Sequence, residues 1–149
     1  MIESKQADFK KGDFVSGNLE WKEYQTSNGK GLHQANQHEA KLSSYLGILG
    51  MTGLTAYLRL TEIGLPKKGE TLVVYGAGVG QVGKSLGCKV VGLTGSDEKV
   101  DVLTSKFNFD HAINYKTTPY LKEAVKSACP KGVDIYFDNV GGDFRCYFS

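Results

Sequence analysis

The apolar run Thr71-Leu-Val-Val-Tyr75, followed at once by Gly76-Ala77-Gly78-Val79-Gly80-Gln81-Val82-Gly83, constrains this chain more than any other segment. A short β-branched run bounded by glycine reads as a buried strand. Gly78-x-Gly80-x-x-Gly83 has a demanding spacing. The first glycine permits a tight turn off the strand, the second lets phosphates approach the backbone, and the third lets the next helix pack closely on the sheet. The N–H groups at the start of that helix, with the helix dipole behind them, then face an anion. The pattern points to a dinucleotide. A glycine-rich turn in another kind of α/β protein is the alternative, and a P-loop is set aside.

The flanking sequence supplies the context that such a run needs. Cys88-Lys-Val-Val-Gly-Leu93, His111-Ala-Ile-Asn114 and Val133-Asp-Ile-Tyr-Phe-Asp138 read as three further strands. Between them lie a helix to about Leu86, one over 97–107 and one over 118–128, with Ser96 expected as the N-cap of the second. Strand and helix in alternation mean a parallel sheet with right-handed crossovers. Upstream, Leu42, Tyr45, Leu46 and Leu49, then Leu54, Tyr57 and Leu58, recur at helical spacing. Gly50-Met51-Thr52-Gly53 is expected to break that run, and Gly64 with Pro66 to end it. Residues 1–40 are polar, with two short expected strands at Asp13–Val15 and Trp21–Tyr24. The fold expected is α/β, a partial Rossmann-type sheet of about four strands. The division expected is 1–40 and 41–149.

Several function classes are disfavoured by what the 149 residues lack. A net charge of +2 with interleaved signs makes no case for nucleic acid. No run approaches the roughly 18 apolar residues that span a bilayer. The start, Met1-Ile2-Glu3-Ser4-Lys5, has no apolar signal core, so a cytoplasmic protein is expected. Cys88, Cys129 and Cys146 are far apart and form no C-x-x-C pair, which suggests neither a disulfide framework nor a zinc site.

Cofactor choice is read at the end of the second strand. An NAD site places an acid there for the ribose. Here Leu93-Thr94-Gly95-Ser96 stands at the tip, and Asp97 and Glu98 fall on the helix start, where capping explains them. Ser96 and Lys99 suit a 2′-phosphate, so NADP is expected; a solvated helix lysine is the plain alternative for Lys99. Asn139 and the glycines of Phe137-Asp138-Asn139-Val140-Gly141-Gly142 end the fourth strand at the sheet's ligand-binding edge. A polar strand-to-helix turn is the alternative there. Tyr24, Tyr45 and Tyr57 are read as packing, and no residue is singled out as catalytic.

Leu46-Gly-Ile-Leu-Gly-Met-Thr-Gly-Leu-Thr-Ala-Tyr57, Gly95-Ser-Asp-Glu-Lys99, Ile113-Asn-Tyr-Lys116 and Phe137-Asp-Asn-Val-Gly-Gly142 together resemble one family. It is the zinc-independent medium-chain dehydrogenase/reductases, in the NADP-dependent alkenal/one double-bond reductase branch of prostaglandin and curcumin reductases. The resemblance implies reduction of the C=C bond of α,β-unsaturated aldehydes and ketones by hydride transfer. It places Gly76, Gly78 and Gly80 along the diphosphate and Lys99 and Tyr115 at the 2′-phosphate. It places Met51 and Thr55 at the nicotinamide end, with Asn139 nearby.

The chain also departs from the family pattern. Only Lys11 to about Gln37 resembles the barrel-like (GroES-like) substrate domain, so residues 1–40 are expected to be a remnant of it. About a dozen residues separate Tyr75 from Cys88, near the lower limit for a parallel crossover. A deletion within that segment would bring its glycines together. Phe144-Arg-Cys-Tyr-Phe-Ser149 differs from the family's continuation, as a frameshift would make it. The other function expected is therefore a truncated, non-catalytic remnant, and uncovered strand edges and apolar faces make a homo-oligomer the expected assembly.

Overall fold

The computed structural model describes residues 1–141. The chain divides into two compact units between Leu54 and Thr55. In the first, β1 (Phe14–Ser16) pairs antiparallel with β2 (His33–Ala35), matching Phe14 to Ala35. A 3-10 turn at Leu42–Leu46 follows. The expected strand at Trp21–Tyr24 is not one. Trp21 is fully exposed, and the strand partner of β1 comes from His33–Ala35 instead. Trp21 and Tyr24 are strand-favouring residues, but a strand without a ladder leaves its backbone unpaired.

Helix α1 (Met51–Leu58) continues as a wider π-helical stretch, Arg59–Gly64. The break expected at Gly50–Gly53 falls just before Met51. The left-handed residue that ends the run is Leu65 (φ 43°), not Gly64, and its N–H donates to the carbonyl of Leu60 at 2.7 Å.

The second unit is built on β3 (Thr71–Tyr75), β4 (Lys89–Thr94), β5 (His111–Asn114) and β6 (Ile135–Phe137). They form a parallel sheet in the order β5-β4-β3-β6. Helix α2 (Ala77–Ser85) joins β3 to β4. Helix α3 (Asp97–Asp101), extended by a π-helical stretch to Lys106, joins β4 to β5, and α4 (Leu121–Ala128) joins β5 to β6. The crossover from Tyr75 to Lys89 is short but sufficient, because a nine-residue α2 fills it.

Every residue of β3 is buried, as expected for a strand covered on both faces. Its alternation divides the core. Leu72 and Val74 join Ala56, Leu60, Val79, Val90, Leu103 and Phe109 on one face. Val73 and Tyr75 join Val91, Leu93, Leu121 and Val125 on the other, under α4. Burying a side chain of this size contributes about 1.5–3 kcal/mol. The sheet is pinned at its amino-terminal end by two carboxylates. Asp134 accepts from the N–H of Thr71 at 2.8 Å and Asp110 from the N–H of Val90 at 2.6 Å.

Candidate nucleotide-binding site

From β3 the chain passes through α2 to β4 on one side; from β5 it returns through α4 to β6 on the other. The direction therefore switches between β3 and β6. Ligands of open α/β sheets bind in the crevice outside the carboxyl ends of the strands at that switch. Gly76 leads out of β3 into it, and Asp138 and Asn139 lead out of β6.

The turn at Gly76 is bare. Its φ of +107° lies where glycine is favoured, and among the described residues a Cβ there would meet only Asn139 Nδ2, at 3.7 Å. Among the described residues, a Cβ on Gly78 would meet nothing within 4 Å outside its own helix. Gly76 is the N-cap of α2 and no side chain caps the helix. The first N–H groups of α2 thus have no partner within the helix. Asn139 Nδ2 donates to the carbonyl of Tyr75 at 2.7 Å, tying the end of β6 to the end of β3. The Asp138 carboxylate accepts from the N–H groups of Val140 and Gly141 and holds that loop. A helix start with a positive dipole and, among the described residues, no capping side chain fits a diphosphate.

The remaining glycines of the run serve packing. A Cβ on Gly80 would come within 2.1 Å of the Phe109 ring, and one on Gly92 of β4 within 2.8 Å. Phe109 therefore fills a slot floored by two glycines. A Cβ on Gly83 would meet Leu72 at 2.5 Å, which is the close helix–sheet contact expected of the third glycine. Gly80, expected along the diphosphate, faces Phe109.

The letters Gly78-Val-Gly-Gln-Val-Gly83-Lys84-Ser85 also satisfy P-loop spacing, so spacing alone does not exclude that motif. The geometry does. These residues are helical, not a loop, and Lys84 lies in the last turn of α2, pairing with Asp110 at 2.9 Å.

A second polar corner forms where β4 and β5 end. Tyr115 packs edge-on to Tyr75, with ring centroids 5.6 Å apart. Above Gly95, a Cβ would meet Tyr115 Oη at 3.0 Å and Lys116 Cε at 3.1 Å, so the hydroxyl and the lysine chain converge over this glycine. Lys99 is exposed on α3. Ser96 holds the N-cap position, but its hydroxyl makes no cap bond. The group that engages the helix start is Asn114, buried at the end of β5, whose Nδ2 donates to Asp97 Oδ1 at 2.7 Å. Sequence reasoning missed Asn114, Lys116 and Gly95 as members of this corner. The adjacency of Asn114 and Lys116 to Tyr115 was the signal available.

Thr55 and Asn139 line one open groove of about 390 Å³ with Arg59, Ile63, Phe137 and Asp138. Met51 begins α1 in the first compact unit and is exposed. Cys88 and Cys129 are buried, and burial pushes both thiols above their ordinary pKa, which makes them poor nucleophiles. Cys146 and the tail Phe144–Ser149 lie outside the described residues, as does Gly142. Among the described residues no cluster of three His, Cys, Asp or Glu could hold a metal, and no helix is long and apolar enough to cross a membrane.

Residues 74–145 match the family described as zinc-binding dehydrogenase. The chain is 48% identical over 149 residues to a 2-alkenal reductase (NADP(+)-dependent) of Nicotiana tabacum, covering 95% of this chain and 43% of the relative. It is 44% identical over 148 residues to the NADPH-dependent curcumin reductase of Escherichia coli, again covering 95% and 43%. Among solved structures, CurA from Vibrio vulnificus in complex with NADPH superposes with a TM-score of 0.87 at 36% identity, covering 95% of this chain and 44% of that one. The chain is similar to part of each of these reductases. It spans less than half the length of the curated relatives it matches. Its parallel sheet with helices on both faces is the Rossmann-type cofactor fold of these oxidoreductases.

Proposed function

We propose that this chain supplies the NADP site of an oxidoreductase that reduces the C=C bond of α,β-unsaturated aldehydes or ketones. The observation that carries the proposal is the bare turn at Gly76 and Gly78, placed at the switch between β3 and β6. The diphosphate would lie over these two glycines, on the N–H groups of α2. Gly80 would support the turn from below by admitting Phe109. Lys99, Tyr115 and Lys116 would hold the 2′-phosphate, with a hydroxyl and two cations in place of an acid. Thr55 and Asn139 would border the nicotinamide end, since both line the groove beside β6. Met51 stays in this assignment on the resemblance alone. The relatives named as 2-alkenal and curcumin reductases support the substrate class.

NADPH, when bound, would supply the hydride, and Gly76, Gly78, Lys99, Tyr115, Lys116, Thr55 and Asn139 would orient it. The test is a titration of the full chain with NADPH, followed by melting temperature, and an absorbance assay with nonenal. NADPH at 100 times its Kd stabilises a folded protein by about 2.7 kcal/mol, so the melting temperature should rise by several degrees. No rise with saturating NADPH would refute the cofactor site. A rise without NADPH consumption would refute the activity and leave the site.

A second reading is favoured by Tyr57, Leu58, Ile63 and Leu65, which are 43–64% exposed in the second unit. Exposed apolar side chains of this kind suit self-association, and the second reading is a self-associating, non-catalytic protein. Sedimentation without cofactor separates the readings: an NADPH-independent oligomer with no melting shift supports the second.

A further inference from the structure

We infer that Asn114 is a positioning residue that sets the preference for NADPH over NADH by holding the Asp97 carboxylate against β5. This inference rests on the NADP reading above. An acid just beyond the second strand of a Rossmann sheet is the group that takes the ribose hydroxyl of NAD and repels a 2′-phosphate. Asp97, in the first turn of α3 and three residues past the end of β4, is the first acid after that strand.

Asp97 is engaged by Asn114. The Asn114 side chain is 7% exposed, and its Nδ2 donates to Asp97 Oδ1 at 2.7 Å. Its Oδ1 accepts from the backbone N–H of Lys116 at 3.1 Å. The Lys116 N–H can meet only the oxygen end of the amide, so the NH2 end is fixed toward Asp97. If the carboxylate swung toward a ribose, a buried amide donor would be left without its partner. Asn114 thus makes two contacts at once. It turns the acid toward β5 and anchors the backbone of Lys116, whose side chain passes over Gly95 beside the Tyr115 hydroxyl.

The full chain tests this by titration with NADPH and with NADH at one fixed salt concentration. Four proteins are compared: wild type, Asn114→Ala, Asp97→Ala and the double variant. Asn114→Ala should lower the NADPH-over-NADH ratio of affinities about tenfold by releasing the carboxylate. Asp97→Ala should leave the ratio within about twofold, because the acid it removes is already withdrawn. The double variant should match Asp97→Ala, an outcome that a merely structural role of Asn114 would not produce. An unchanged ratio in Asn114→Ala, or an equal loss in the Asp97→Ala background, overturns the inference while leaving the cofactor site standing. Should Asn114→Ala fail to fold, a tenfold rise of the ratio in Asp97→Ala overturns it independently. Wild type that binds neither nucleotide overturns the NADP reading and this inference together.

Discussion

On the central strands β3 and β4 the large apolar side chains turn inward: Leu72, Val73, Val74, Val90 and Val91 are fully buried. In residues 1–54 they turn outward. Trp21, Leu46, Ile48, Leu49 and Met51 are all more than half exposed, and Ala35 is the buried hydrophobic residue of that stretch among the described residues. One unit is held by a two-sided core and close glycine contacts. The other is held by a three-residue ladder and turn hydrogen bonds. Stability should therefore be lodged in the second unit, and the residues proposed to touch the diphosphate and the 2′-phosphate all lie there.

Substitutions probe this contrast in descending order. Leu72→Ala, at the centre of the sheet, should cost about 2–5 kcal/mol in denaturant unfolding, by lost burial and a cavity. Gly80→Ala should cost about 1–3 kcal/mol because the new methyl meets the Phe109 ring. In a Phe109→Ala background the same change should become neutral or gain about 1 kcal/mol, since alanine is the better helix former. A full cost there would show that Phe109 is not the reason for glycine.

Asp110→Ala should cost about 1–2 kcal/mol, through loss of its bonds to Lys84 and to the N–H of Val90. Burial alone would raise the Asp110 pKa, but the Lys84 ammonium and the Val90 N–H outweigh it and hold the carboxyl below the ordinary range. The contribution is thus present above the unfolded carboxylate pKa and is lost as pH falls through the lower folded value. Acid titration of stability should be flatter in Asp110→Ala. Trp21→Ala should change stability by less than about 0.5 kcal/mol. A cost comparable to that of Leu72→Ala would end the contrast between the units.

The sequence made the sheet segment readable because its signals are local. β3 is a continuous apolar run, and α2, α3 and α4 fall within a few residues of their expected bounds. β2 was not readable, since His33-Gln-Ala35 has no apolar alternation and becomes a strand only through β1. The π-helical stretches were not readable either, because a change of turn width leaves the apolar period nearly intact. At the site, Gly76 and Asn139 were both named from sequence, and the structure brings them side by side. The reason for Gly80 was hidden. It lies in Phe109, 29 residues away, and no local pattern encodes that contact. Asn114 was hidden likewise, because its partner Asp97 is set by the lengths of α3 and the stretch that follows it.

The strand order β5-β4-β3-β6 carries a consequence for how the chain folds. β3 meets β4 across 18 residues, Thr71 beside Lys89, but meets β6 across 63, Leu72 beside Ile135. Closing the longer loop costs about 1 kcal/mol more, since each doubling of length adds about 0.6 kcal/mol. Pairing should therefore begin at β3 and β4, and the docking of β6 should come late. The phosphate turn would then exist before Asn139 arrives beside it, so the crevice closes as the last act of folding.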